Sequence, residues 1–179
     1  KYAYLNLSTI LKKIGKSKEA LNSLRKVIEI DPNRTELYSK LGEILYGEIC
    51  DSAESIKYLD KAIELDQSNA YNYRNRSKAR NDLKDYEGGL SDALKAYNID
   101  PELDDLDIDI ASNYNDLGRH EDAIKWIDNL IETQSKKENG YIDESYYLQR
   151  GRAHKALGNQ EAADLDIKTA KEIKLSFLQ

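Results

Sequence analysis

The chain's two prolines, Pro32 and Pro101, close the same kind of phrase: Val27-Ile28-Glu29-Ile30-Asp31-Pro32 and Ala96-Tyr97-Asn98-Ile99-Asp100-Pro101, 69 residues apart. Between them Ala62-Ile63-Glu64-Leu65-Asp66 repeats the phrase, with Gln67 in place of proline. A recurrence at about 34 residues is an internal repeat, and a repeat of that length decides the architecture before any single residue does. Each unit buries its apolar face only against its neighbours, so the 179 residues read as one array rather than one central core.

Inside each unit, apolar residues recur at helical spacing, stop at a short break, and recur again. In the first, Tyr4, Leu7 and Leu11 share a face, Gly15 breaks the helix, and Ala20, Leu24, Val27 and Ile28 form a second stripe. The pattern predicts two antiparallel helices per unit and an all-α fold.

Residue by residue, the order resembles the tetratricopeptide repeat (TPR), W-x2-L-G-x2-Y, then A-x3-F, then P, over 34 residues. Repeat 1 spans about 1–34, with Tyr4, Leu7, Ser8, Leu11, Ala20, Leu24, Val27 and Pro32. Repeat 2 (35–69) has Tyr38, Leu41, Gly42, Leu45, Ser55, Leu59 and Ala62, with one extra residue near Cys50 to Glu54. Repeat 3 (70–103) has Tyr73, Arg76, Ser77, Arg80, Gly89, Ala93, Ala96 and Pro101. Repeat 4 (104–137) departs most, with Asp107, Ile110, Ala111, Tyr114, Ala123, Ile127 and Leu130. Repeat 5 (about 144–177) has Tyr147, Arg150, Gly151, His154, Ala163, Ile167 and Ala170. The resemblance implies a right-handed α-solenoid of about five helix pairs forming one domain.

An insertion at about 138–143, carrying Asn139-Gly140, reads as a surface turn. Beyond Ala170 the last helix continues through Ile173, Leu175, Phe177 and Leu178. Terminal repeats normally turn a polar face outward, so this apolar end predicts packing on a further repeat, a partner domain or a second copy. The chain has no methionine, from which we expect it to be a piece of a longer protein.

Catalysis finds little support. Cys50 is the sole cysteine, which excludes an intrachain disulfide or thiolate cluster, and it reads as a small buried residue. His120 and His154 fall where the repeat pattern packs large side chains, and no nucleophile motif or phosphate-binding glycine loop occurs. Asp105, Asp107 and Asp109 have the spacing of a calcium loop, but its glycine falls at Ile110 and its closing glutamate at Asp116, so the acids suit a helix start instead. We therefore expect no enzyme activity, metal or cofactor.

Charge is uneven. Residues 1–103 carry 17 basic and 17 acidic groups, 104–143 carry 4 and 11, and 144–179 carry 6 and 5, so repeat 4 accounts for the net −6. An acidic sector attracts basic partner segments. No continuous basic stripe for nucleic acid is present, and no stretch is apolar enough to insert in a membrane. The partner expected is a protein or peptide segment, with the cytoplasm as default location.

The resemblance implies that the first helix of each pair lines a concave groove. Its residues would be Leu5 and Thr9, then Ser39, Glu43 and Tyr46, then Tyr71, Arg74, Lys78 and Asn81. Repeat 4 would add Asp105, Ile108, Ser112 and Asn115, and repeat 5 Leu148, Arg152 and Lys155. Such a wall suits an amphipathic or mixed-charge segment. The Lys, Asn and Arg set with which some tetratricopeptide proteins hold chaperone tails appears only in fragments. The reading is a scaffold or adaptor module. Its alternatives are the regulatory or substrate-presenting arm of a larger enzyme or signalling protein, and self-association through the C-terminal helix.

Gly42, Ala111, Gly151, Ser8 and Ser77 on first helices, with Ala20, Ala123 and Ala163 on second helices, are the small residues that let paired helices approach closely. Gly151→Leu is expected to overpack this crossing and cost on the order of 1–3 kcal/mol. Thermal melting measures it, and an unchanged Tm would refute the register.

Overall fold

The computed structural model describes residues 15–136 and 142–176. The described residues form nine α-helices and no strand: α1 Ser17–Ile30, α2 Thr35–Ile44, α3 Ser52–Leu65, α4 Ala70–Asp82, α5 Tyr86–Ile99, α6 Leu106–Asp116, α7 His120–Ser135, α8 Glu144–Ala156 and α9 Gln160–Ser176. The all-α fold of packed helix pairs expected from the periodicity is the fold observed. Tyr4, Leu5, Leu7, Ser8, Thr9 and Leu11, the Asn139-Gly140 turn, and Phe177 and Leu178 lie outside the described residues.

The chain forms two compact units, Lys1–Leu103 and Asp104–Gln179. In the first, α1 to α5 pack each on the next; in the second, α6 to α9 do the same. Acids and amides at the starts of several helices explain where they begin. Asp51, Asn69, Asp85 and Asp143 accept hydrogen bonds from the backbone N–H groups of Glu54, Tyr71, Gly88 and Ser145 at 2.7–3.0 Å, satisfying donors that have no partner inside the helix. The proline phrase has its own fastening, since the Tyr38 hydroxyl donates to the Pro32 carbonyl at 2.8 Å.

Each described turn leading into a second helix has one residue at positive φ: Gly15, Cys50, Lys84, Gly118 and Gly158. The extra residue of repeat 2 is taken up just before its turn, where α2 runs on into a π-helical turn, Leu45–Ile49. That turn corrects one sequence expectation. Cys50, read as buried, is exposed, because it is the left-handed residue of the connection, with φ of 59°.

The core of the first unit holds Ala20, Leu24, Val27, Leu37, Leu41, Ile44 and Leu45, and one core of the second holds Ala111, Ile127, Leu130 and Tyr146. Full burial of such side chains contributes about 1.5–3 kcal/mol each for the larger ones. The close crossings lie where the small residues predicted them. A Cβ on Gly42 would stand 2.5 Å from Leu59 Cγ, and one on Gly151 would stand 3.3 Å from the Ala163 carbonyl oxygen. At two crossings a serine exploits the proximity: Ser55 Oγ donates to the Gly42 carbonyl and Ser77 Oγ to the Gly89 carbonyl, both at 2.7 Å.

Asn72 breaks the pattern of an apolar core. It is 0% exposed, and neither atom of its amide finds a hydrogen-bond partner. The same repeat position holds Leu37, Leu106 and Tyr146, all buried. Leucine is the apolar isostere of asparagine, and an unsatisfied buried amide costs about 1–3 kcal/mol. Asn72→Leu is therefore expected to raise the unfolding free energy by about that amount, as read from urea denaturation; a lower midpoint would show that the amide is satisfied or the site too tight.

Candidate functional site

The first helices offer two candidate faces, one on each unit. In the first unit α2 lies beside α4, and in the second α6 lies beside α8. Three hydrogen bonds set the register of the second pair. Asn115 Nδ2 donates to the Gln149 carbonyl at 3.0 Å and to Gln149 Oε1 at 3.2 Å, and Arg152 Nη2 donates to Asp116 Oδ1 at 2.7 Å. The C-terminal end of α6 thus meets the middle of α8, which fixes which side chains stay on the surface.

On α2, Glu43 is exposed and Ser39 half-buried, its hydroxyl turned back to the Thr35 carbonyl at 3.2 Å. Tyr46 falls within the π-helical turn and is half-buried. On α4, Tyr71 projects from the first turn and is 57% exposed, while Arg74, Lys78 and Asn81 follow along the helix, half-buried.

In the second unit Asp105 is exposed just before α6. Ile108 is half-buried and packs on the core beside Trp126 and Ile131. Ser112 is half-buried and 3.4 Å from Asp116. Asn115, 3% exposed, lies under the surface, where its amide joins α6 to α8 and its oxygen sits 3.1 Å from His120 Nδ1. Leu148 is 48% exposed, and Arg152 and Lys155 are exposed on α8. The Asp116–Arg152 pair is solvent-accessible and contributes about 0–1 kcal/mol, so it orders the surface more than it stabilises it.

Behind these faces lies a feature that the sequence reading passed over. The seventh residue of repeats 2 to 5 is Leu41, Arg76, Ile110 and Arg150 in turn, alternating apolar and arginine at a core position. Arg76 donates from Nε and Nη2 to both oxygens of Asp92 at 2.8 and 2.7 Å, and from Nη1 to Asp60 at 2.7 Å. Arg150 does the same, with Nε and Nη2 on Asp166 at 2.7–3.2 Å and Nη1 on Asp128 at 2.6 Å. In each case one carboxylate belongs to the second helix of the same repeat and the other to the second helix of the repeat before. The guanidinium rests over a tyrosine, Tyr73 at 5.7 Å or Tyr147 at 5.2 Å. The two central carboxylates are almost wholly buried, with side-chain exposures of 5% for Asp92 and 4% for Asp166.

For Arg76, burial opposes the charged form but is outweighed by hydrogen bonds and attraction to Asp92 and Asp60, so its pKa stands above the ordinary arginine value. For Arg150 the hydrogen bond to Asp166 leads, burial opposes it, and the net shift is again upward. Both arginines stay charged at any pH the fold survives. A second basic side chain approaches each central acid: Arg80 Nη1 lies 3.0 Å from Asp92, and His154 Nε2 lies 4.0 Å from Asp166. The sequence signal for this arrangement was available in the Leu–Arg–Ile–Arg alternation and in Tyr58, Asp92, Trp126 and Asp166 at one equivalent second-helix position.

Among the described residues no group of three or more His, Cys, Asp or Glu is placed to hold a metal. No described helix is long and apolar enough to cross a membrane. On α9, Asp164 and Lys171 stand exposed at positions equivalent to the apolar Leu21 and Ile28, Ile56 and Ile63, Leu90 and Tyr97, and Ile124 and Ile131, while Leu165 and Leu175 of the same helix are 64% and 59% exposed.

Paired helices that cross closely at small residues, repeated at one period, define a helical-repeat protein. The chain belongs to the tetratricopeptide repeat family: profiles described as TPR repeat and Tetratricopeptide repeat match residues 9–47, 35–69 and 144–177. Among curated proteins it is 31% identical over 101 residues to Protein FlbA of Caulobacter vibrioides, covering 56% of this chain and 17% of that protein. It is 28% identical over 161 residues to the TPR repeat-containing protein MJ1428 of Methanocaldococcus jannaschii, covering 83% of this chain and 28% of that one. The chain thus spans less than a third of the length of either relative. Among solved structures, MamA matches with a TM-score of 0.85 at 21% identity, over 97% of this chain and 91% of that one. YrrB, described as "a TPR protein with an unusual peptide-binding site", matches with a TM-score of 0.79 at 16% identity, over 95% and 84%. At these identities the likeness is one of fold.

Proposed function

We propose that this chain is a non-catalytic interaction module that holds a protein segment against the exposed side of its first helices, acting as a scaffold or adaptor. The observation that carries the reading is the exposure of Tyr71 and Leu148, 57% and 48%, on first helices whose neighbouring positions carry charged and polar groups. Anchoring side chains of this kind supply most of the affinity in peptide recognition. The charges of both signs around them, Glu43, Arg74 and Lys78 on one unit and Asp105, Arg152 and Lys155 on the other, suit a segment that is itself of mixed charge.

A second reading has one specific observation in its favour. The curated relatives are three to six times longer than the stretch they share with this chain, which suits the regulatory or substrate-presenting arm of a larger protein. The two readings agree on the surface used and differ in what the bound segment is delivered to.

Tyr71→Ala combined with Leu148→Ala is expected to leave the melting curve in place, since both side chains are exposed. The double variant is expected to capture the wild type's protein partner from lysate at least about tenfold less well, the loss typical of removing interface anchors. Quantitative mass spectrometry of the captured protein measures this, and equal recovery by both chains would move the binding surface away from the first helices.

A further inference from the structure

We infer that Arg76 and Arg150 are positioning residues, each fixing the orientation of one repeat on the repeat before it and thereby the spacing of the partner-facing first helices. The inference begins with the shape of the guanidinium. Its five N–H groups lie in one rigid plane. In the first unit, Nε and Nη2 of Arg76 are committed to both oxygens of buried Asp92 on α5, and Arg80 holds that same carboxylate from the other side at 3.0 Å. With the plane thus set inside repeat 3, the two N–H groups of Nη1 have fixed directions, and Asp60 of α3, in repeat 2, accepts from Nη1 at 2.7 Å. The bond therefore specifies where α3 sits relative to the α4/α5 pair. An apolar contact such as that of Leu41, the residue at the equivalent position of repeat 2, has no comparable direction.

Chance is a poor account of this geometry because it occurs twice. Arg150 lies in its own repeat as Arg76 does, is bidentate to buried Asp166 of α9, and meets Asp128 of α7 at 2.6 Å through Nη1. The residues between Arg76 and Arg150 include the insertion near 138–143, yet both triads preserve the same assignment of donors to carboxylates. The outer acids, Asp60 and Asp128, are about half exposed, at 52% and 54% of their side chains. They contribute little to stability for that reason, which leaves orientation as what they supply. That the orientation serves a bound partner rests on the reading of the preceding section; that it exists does not.

The test uses the full chain with Cys50→Ser, which removes its only cysteine. Spin labels then go on cysteines at Lys57 of α3 and Ser91 of α5, exposed residues at equivalent places in repeats 2 and 3. Pulsed dipolar spectroscopy of this chain is expected to give one narrow distance distribution. Asp60→Ala keeps Arg76 on Asp92 and so keeps the fold, yet is expected to broaden and shift the distribution. Asp60→Glu should restore it. Arg76→Lys, which retains the charge but not the fork, should broaden it as Asp60→Ala does. Val27→Ala in repeat 1, destabilising but remote from the triad, should lower Tm and leave the distribution alone. Unchanged distributions in both Asp60→Ala and Arg76→Lys would overturn the inference. Broadening in a chain that captures no partner would uphold it while counting against the interaction role.

Discussion

Everything in this fold depends on how closely the two helices of a pair can approach. At three crossings a small residue faces a small residue or a tight neighbour: Gly42 with Ser55 and Leu59, Ser77 with Gly89, Gly151 with Ala163. Helices that pack at this separation leave no room for water between them, so Leu24, Leu59 and Ile127 are each fully buried within their own unit. The pair then becomes a building block of fixed thickness. Within each unit the repetition brings two first helices together, α2 beside α4 and α6 beside α8, although a whole helix separates them in sequence. The candidate partner faces are a by-product of that stacking.

Ridge-into-groove packing restricts the angle between packed helices but leaves a scatter of about 15–20°. The alternation of Leu41, Arg76, Ile110 and Arg150 at one core position has a clear physical meaning in this light. Aliphatic residues fill space, while arginines held by two carboxylates add direction. Buried ion pairs are a weak source of net stability and are better attested as devices that specify one arrangement. Here each triad spans three helices, α3, α4 and α5 or α7, α8 and α9, which is the number needed to tie one repeat to the next.

The architecture was legible in the sequence because its signals are local and redundant. The Asp-Pro phrases, the small residues at Gly42, Ser77, Ala111 and Gly151, and the helical spacing of apolar residues all state the same period. What stayed hidden depended on register between helices far apart in sequence. Asn115 has the spacing of a groove residue, but the offset between α6 and α8 puts its amide beside Gln149 and buries it. Cys50 looked like an ordinary small core residue until the π-helical turn carried the extra residue of repeat 2 and left the thiol at the connection. Arg76 and Arg150 were visible as departures from the repeat pattern, yet their partners, 16 residues ahead and 16 or 22 behind, become neighbours only once the helices are paired.

The account stands or falls on which side of the helix pairs meets a partner. Photo-crosslinking reads this directly: a benzophenone amino acid placed in turn at Tyr71 and Leu148 on first helices, and at Lys57 and Leu165 on second helices, all exposed, is irradiated in cell extract and the products are sized by gel. Discrete adducts from Tyr71 and Leu148, with none from Lys57 and Leu165, are the predicted result. Adducts confined to Lys57 and Leu165 would contradict it and place the working surface on the second helices.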